Sequence, residues 1–271
     1  MSINNFIPEL WSAQLITAFR KNHVFTSLVN RSYEGEIRNA GDTVRITTPS
    51  AITVGAYTGT VSYETPTSAQ QSLIIDRDRY WAFQLDDVDQ AQANVSLMQA
   101  YMQEAAYSLA DDVDGDLASL YAQSGLDDIN VDLGTDDFYD KMVEAGKQLD
   151  EANVPRQGRW VVMTPKGYAD LLKNTKFVHA TAIADNLVRT GQLGSISGFS
   201  VFVSNNLVNT TSNTYAYMYG TNSAITMAEQ VVSTEALRGA TAFADQVRGR
   251  FVYGRKVVRP FALGTLLSDE T

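Results

Sequence analysis

Cysteine is absent from all 271 residues, which excludes disulfides, thiolate metal sites and cysteine nucleophiles. Histidine occurs only as His23 and His179. Neither lies in an H-x-x-x-H or H-E-x-x-H arrangement, so a histidine-based zinc site has no support. The six prolines are scattered, and no low-complexity tract or short repeat sets up a solenoid or collagen-like array. No apolar run approaches the ~20 residues that span a bilayer. The opening stretch MSINNFIPELWSAQLITAF holds no basic residue before Arg20 and carries Glu9 in its apolar part. A secretory signal is therefore not expected, and a cytoplasm-like compartment is. The N-x-S/T triplets at Asn30, Asn94 and Asn209 then carry no meaning as glycosylation sites.

Positive charge is missing from one long stretch. Between Tyr80 and Asp140 there is no Lys or Arg, against fourteen Asp and Glu. The total charge is −10, yet the rest of the chain holds 17 acids against 21 bases. From Arg238 to Arg259 six bases face the single acid Asp245. This split argues against a general nucleic-acid binder, which would present a basic face. Two readings of it stand: oppositely charged patches through which copies of the chain meet, or an acidic helix lying on a basic strand within one monomer.

Catalytic and metal motifs fail on inspection. No G-x-x-x-x-G-K-[ST] loop occurs. Gly194-Ser-Ile-Ser-Gly198 superficially suggests a nucleophile elbow, but Ile196 stands where Ser is required. Asp128-x-Asn130-x-Asp132 opens like a calcium loop, but Leu133 replaces the obligatory glycine and Tyr139 the closing Glu. A loop capped by Asp and Asn side chains is the better account. Adjacent carboxylates abound (Asp86-Asp87, Asp111-Asp112, Asp127-Asp128, Asp136-Asp137). A glycosidase needs only two acids, but nothing singles out one pair. His179, within Phe177-Val-His-Ala, is read as a packed structural residue. No catalytic residue, cofactor or metal is expected.

What is present is a clear order of patterns. After Pro8 and Glu9, Trp11, Leu15 and Phe19 recur at four-residue spacing, predicting a short amphipathic helix in an N-terminal arm. From Gly41 to about Leu85 the pattern is that of strands. Val44 and Ile46 alternate with polar residues, and Leu73, Ile75, Trp81, Phe83 and Leu85 share one face. The polar middle, Thr53 to Gln71, holds few large aliphatic residues, so this hairpin buries little by itself. Leu97, Tyr101, Ala105, Leu109, Val113, Leu117 and Tyr121 then predict a helix over about 94–123, roughly 45 Å long. Beyond it come a helix over about 137–152, a strand at Trp160–Met163 and a helix opening at Thr164-Pro165. Strands follow near 199–203, 215–219, 226–232 and 250–259. The fold class is α+β with short linkers.

This order resembles the tailed-bacteriophage major capsid protein fold, which encapsulin shells share. Gly194-Ser-Ile-Ser-Gly-Phe-Ser-Val-Phe-Val-Ser-Asn-Asn-Leu207 is similar to a recurrent axial-domain segment of that family. Arg159-Trp-Val-Val-Met-Thr-Pro165 resembles its strand-then-proline lead into an axial helix, and Val252-Tyr-Gly-Arg-Lys-Val-Val-Arg-Pro260 a strand near the C-terminus of many coat proteins. The resemblance implies an N-terminal arm (1–40), an extended hairpin loop (41–85) and a peripheral domain with a long spine helix (86–137). An axial domain (138–235) and C-terminal strands returning to the peripheral domain (236–271) complete it. It implies self-assembly through pentamers and hexamers into an icosahedral shell around double-stranded DNA, without sequence-specific DNA contacts or a membrane. The expected partners are a separate scaffolding protein, a portal and a decoration protein, with assembly in the host cytoplasm. Trp11, Leu15, Phe19, Tyr57, Tyr63, Arg77 and Arg79 are the candidate inter-subunit contacts.

Two alternatives stand beside this reading. An encapsulin-type compartment shell would share the fold, and a carbohydrate-active enzyme would show a monomer with a cleft lined by two carboxylates.

Overall fold

The computed structural model describes residues 24–33, 43–49, 68–86, 97–173, 195–211, 213–239 and 244–270, with the isolated positions 52, 56 and 63. Two sheets organise them. A three-stranded antiparallel sheet has the order β10-β11-β3, from Ile225–Arg238, Ala244–Val257 and Arg77–Asp86. A seven-stranded sheet runs β4-β12-β9-β5-β7-β6, with β8 also on β9. Its strands are β4 (Ile129–Asp132), β5 (Arg159–Met163), β6 (Ser195–Ile196), β7 (Phe199–Val203), β8 (Asn209–Thr211), β9 (Thr214–Thr221) and β12 (Leu263–Asp269). A separate pair, β1 (Thr43–Pro49) with β2 (Ser68–Ile74), forms the base of the expected hairpin.

Helix α2 (Leu97–Ala118) continues as a tight 3-10 turn over Ser119–Gln123. Its buried stripe, Met102, Ala106, Leu109, Val113 and Leu117, follows the expected helical spacing; Tyr101 instead stays 47% exposed at its margin. Helix α3 (Phe138–Glu151) begins where Asp137 accepts a hydrogen bond from the Tyr139 amide, a side-chain cap. Helix α4 (Pro165–Lys173) starts at Thr164, whose Oγ1 accepts from the Gly167 amide at 3.2 Å. Proline at the first helical position suits this start.

The apolar faces of both sheets and of α2 and α3 merge into one core, from Phe25 and Trp81 to Trp160, Tyr217 and Leu266. A smaller cluster of Val44, Ile46, Leu73, Ile75, Ala228 and Val252 lies under the hairpin base. The alternation expected from Leu73 to Leu85 is present but split between these clusters, because the chain leaves one sheet at Ile75-Asp76 and joins another at Arg77.

The strand pairing cuts across the expected segment boundaries. Residues 24–33, placed in the arm, belong to the body. Phe25 of the short helix α1 (Phe25–Leu28) is fully buried, edge-on to Trp160 at 6.4 Å. Asn30 exchanges backbone hydrogen bonds with Ile225 and Met227 on β10. Strand β4 pairs in parallel with β12, within the seven-stranded sheet. Strand β12 lies between β4 and β9, so the last strand joins that sheet rather than returning to the other. Strand β10, counted with the axial segment, pairs along its length with β11.

Candidate assembly surfaces

Period two on a strand and period four on a helix create the main charged contact of the body. Arg77 and Arg79 are two apart on β3 and so share a face; Asp112 and Asp116 are four apart on α2 and do the same. The structure brings the rows together. Arg79 Nε donates to Asp112 at 2.6 Å, and Arg77 Nε lies 3.4 Å from Asp116. From β11, Arg255 donates through Nε and Nη2 to the two oxygens of Asp116, each at 2.5 Å, and the Tyr253 hydroxyl donates to it at 3.0 Å. Burial by itself would raise the Asp116 carboxyl; the Arg255 hydrogen bond and charge, with Tyr253 and Arg77, outweigh it and hold the group below the usual carboxylate range. Burial raises the Tyr253 hydroxyl, and the neighbouring Asp116 and Asp112 add to this. Of the two readings of the charge split, this clamp is the acidic helix on basic strands within one chain.

Two residues from Asp116, on the opposite side of α2, Asp114 is only 3% exposed. Its oxygens accept from the amides of Val24 at 3.3 Å and Phe25 at 3.2 Å, where α1 begins. Desolvation pushes this carboxyl up to about 6 despite both hydrogen bonds, and nearby Asp111 adds to the rise. No ion pair reaches Asp114 among the described residues. Val24 and the start of α1 are therefore pinned to the middle of α2.

The hairpin base is seated by a glycine. A Cβ on Gly254 of β11 would stand 2.3 Å from the Ile74 carbonyl oxygen, so only glycine lets β2 approach this closely. Gln71 Nε2 donates to the Val258 carbonyl at 3.3 Å and Lys256 Nζ to the Ser72 carbonyl at 2.9 Å, on the same side. Ile74 and Ile52 are exposed, and Tyr63 is 94% exposed.

On the far face of β3 and β11 the charges are paired across strands. Arg250 meets Asp78 and Arg248 meets Glu235 at 2.6 Å, while at the strand ends, on the other face, Arg238 meets Asp245 at 2.9 Å. The Arg250 hydrogen bond holds Asp78 below its usual range. In the seven-stranded sheet Arg159 is buried and bonds Asp150 at 2.7 Å and the Val154 carbonyl at 2.6 Å. Near the C-terminus, Glu270 accepts from the Tyr217 hydroxyl at 2.6 Å and from Thr164.

Of the expected contact residues, Trp11, Leu15, Phe19 and Tyr57 lie outside the described residues, as do His23 and His179. Tyr63 is outward-facing, whereas Arg77 and Arg79 are engaged within their own chain. Asp114, Asp116, Arg255 and Gly254 were not singled out in the sequence, although the i, i+2 arginines and i, i+4 aspartates gave a usable signal. The calcium-like loop is self-capped: Asp132 accepts from the Gly134 amide at 2.9 Å and from Thr135 Oγ1, which lowers its carboxyl. Residues 195–200 make a tight hairpin, with Ser197 at φ 49° and Gly198 at φ 86°, the paired left-handed conformations of a two-residue turn. Among the described residues no cluster of three or more His, Asp or Glu is placed to hold a metal ion.

Comparison with known proteins follows this geometry. The profile of the family described as phage capsid protein matches residues 70–265. A solved structure of Mycobacterium phage Che8 is 31% identical, covers 90% of each chain and superposes with a TM-score of 0.74. A capsid structure of the cyanophage P-SCSP1u is 16% identical over 92% of this chain and 89% of that one, with a TM-score of 0.72. A virus-like particle from Pyrococcus furiosus is 14% identical over 96% and 99%, with a TM-score of 0.62. The last two establish likeness of fold. No curated protein matches the sequence.

Proposed function

The chain belongs to the phage capsid protein family and is a major capsid protein of a bacteriophage virion; we propose that it builds the icosahedral shell from pentamers and hexamers around packaged double-stranded DNA. The observation that carries this reading is the family match over 70–265, which takes in most of both sheets, α2 and most of the hairpin's return strand. The role is structural, and no enzymatic step is assigned to any residue.

In this reading the three-stranded sheet with α2 is the peripheral unit and the seven-stranded sheet with α3 and α4 is the axial unit, which meets its neighbours around the five- and six-fold axes. The hairpin base is rooted in the small cluster beneath Gly254, and the polar stretch beyond it gains its stability by lying on an adjacent copy. The arm does likewise through Trp11, Leu15 and Phe19. Many modest contacts repeated by symmetry make a strong shell out of reversible steps. A separate scaffolding protein, a portal and a decoration protein are the further partners, with assembly in the host cytoplasm. The 31% identity to a phage structure, against 14% to the virus-like particle, favours a virion over a compartment shell.

The test is size. The chain, alone and co-expressed with its neighbouring reading frames, is examined by mass photometry and negative-stain microscopy. Closed shells or pentamer and hexamer rings are expected. A monodisperse monomer under every condition would overturn the reading.

A further inference from the structure

Between α2 and β3 the described surface holds an open groove of about 530 Å³. Its floor is an aromatic stack: Trp81 on Phe83 with ring centroids 5.8 Å apart, and Phe83 on Tyr101 at 5.6 Å. Ala105 and Leu109 of α2 form one wall, and Glu104 stands on the rim. Tyr101 is 47% exposed and Phe83 half-buried. A concave aromatic patch left open to water marks a docking surface.

We propose that this groove receives residues 11–19 of an adjacent copy of the chain, with Trp11, Leu15 and Phe19 as its three anchors. The proposal rests on the reading that arms tie copies together, and names the place where they do so. Three features select this occupant. The first is length. The groove's wall follows α2 from Tyr101 to Asp112, eleven residues or roughly 16 Å, and three anchors four residues apart on a helix span roughly 12 Å. The second is charge. Arg20 and Lys21 follow Phe19 directly, whereas the one base lining the groove, Arg79, is already paired with Asp112. Glu104 on its rim makes no ion pair among the described residues. An apolar helix followed by two cations is the complement of an aromatic groove with an acidic rim.

The third feature decides between a chain's own arm and a neighbour's. Val24 is pinned by its amide to Asp114. At about 100° per residue, Asp114 is about 200° around α2 from the row Tyr101, Ala105, Ser108 and Asp112 that lines the groove. Five residues from Phe19 to Val24 span at most about 17 Å, too short to pass round a helix ~10–12 Å across from its opposite side, so the occupant of the groove comes from another copy.

The cysteine-free sequence makes a direct test available. One chain carries Ala18→Cys, a small residue on the anchor face that leaves all three anchors intact, and another carries Ser108→Cys on the groove wall. The two are co-assembled, checked for shells by microscopy, oxidised and run on a non-reducing gel. A reducible dimer joining the two variants is expected, and its loss when Ala105→Trp fills the groove in the Ser108→Cys chain. Gln14→Cys is the second arm variant should Ala18→Cys fail to assemble. Shells without that dimer overturn the docking while leaving the assembly reading intact. A crosslink found only within one chain, in the Ala18→Cys/Ser108→Cys double variant, overturns it in favour of the chain's own arm. Absence of shells from the unsubstituted chain under every condition removes the assembly reading and the docking with it.

Discussion

Replacing Asp114 by Asn should stabilise the subunit at neutral pH and leave it unchanged in acid. The carboxyl is 3% exposed, meets no cation among the described residues and is pushed up to about 6 from its usual 3.8. A shift of about 2 pH units corresponds to about 3 kcal/mol of preference for the protonated form. The sign follows from proton binding: the folded chain holds this proton more tightly than the unfolded one. The stability it contributes is complete below pH ~3.8 and is lost as pH rises through about 6. Asn mimics the protonated acid, since it offers one carbonyl oxygen to the Val24 and Phe25 amides and carries no charge to desolvate. Thermal unfolding of dilute, unassembled subunits by circular dichroism at pH 4, 6 and 8 is the assay. At ~2–4 °C per kcal/mol for a chain near this size, the variant should melt roughly 6–12 °C higher at pH 8 and within a degree or two at pH 4. A variant less stable by the same amount at every pH would refute the argument. It would mean that the second amide hydrogen bond and the charge at the start of α1 outweigh desolvation.

Three further outcomes follow from the geometry. Gly254→Ala places a Cβ against the Ile74 carbonyl and should cost about 1–3 kcal/mol; hydrogen exchange should rise in residues 68–75 before it rises in β10 or β11. Arg255→Met leaves Asp116 buried with Arg77 and Tyr253 as its remaining partners and should cost about 3 kcal/mol in denaturant melts at pH 7. Because Asp116 is held below its usual range, that deficit should shrink as pH falls through about 4. Gly198→Ala forces a Cβ into a backbone with φ 86° and should cost about 1 kcal/mol in melting experiments although no atom lies in its way.

The sequence pattern made α2, the extent of α3 and the strand–proline–helix passage at Arg159–Lys173 readable in advance. What stayed hidden had physical reasons. Strand β12, LGTLLSD, is covered on both sides for most of its length, so it lacks the alternation that betrays a half-buried strand. Strand β4 is four residues long and exists as a partner to β12. Strands β10 and β11 run to fourteen residues each, far beyond their apolar centres. Their outer ends are polar and are held by cross-strand pairs such as Arg248–Glu235, a stabilisation no hydropathy pattern records. The clamp on Asp116 was only partly legible: Arg77, Arg79 and Asp112 stood out, but Asp116 did not, and Arg255 lies well over a hundred residues from them in sequence. Burial of Asp114 depends on α1 packing beside it, which the amphipathic stripe of α2 alone does not reveal.

The place of β12 has a consequence for timing during synthesis. Strand β4 leaves the ribosome early and has its registered neighbour more than 130 residues later, at Leu266–Asp269. Strand β9 likewise keeps one side open until the same residues emerge. A nascent chain can form α2 and α3, but its larger sheet has a gap until residues 263–269 have emerged. Loop closure over such separations is slow compared with helix formation. A prematurely terminated product therefore carries an unzipped sheet rather than a finished building block. A check that synthesis has passed β12 is in this way part of the topology, exercised before any copy meets another.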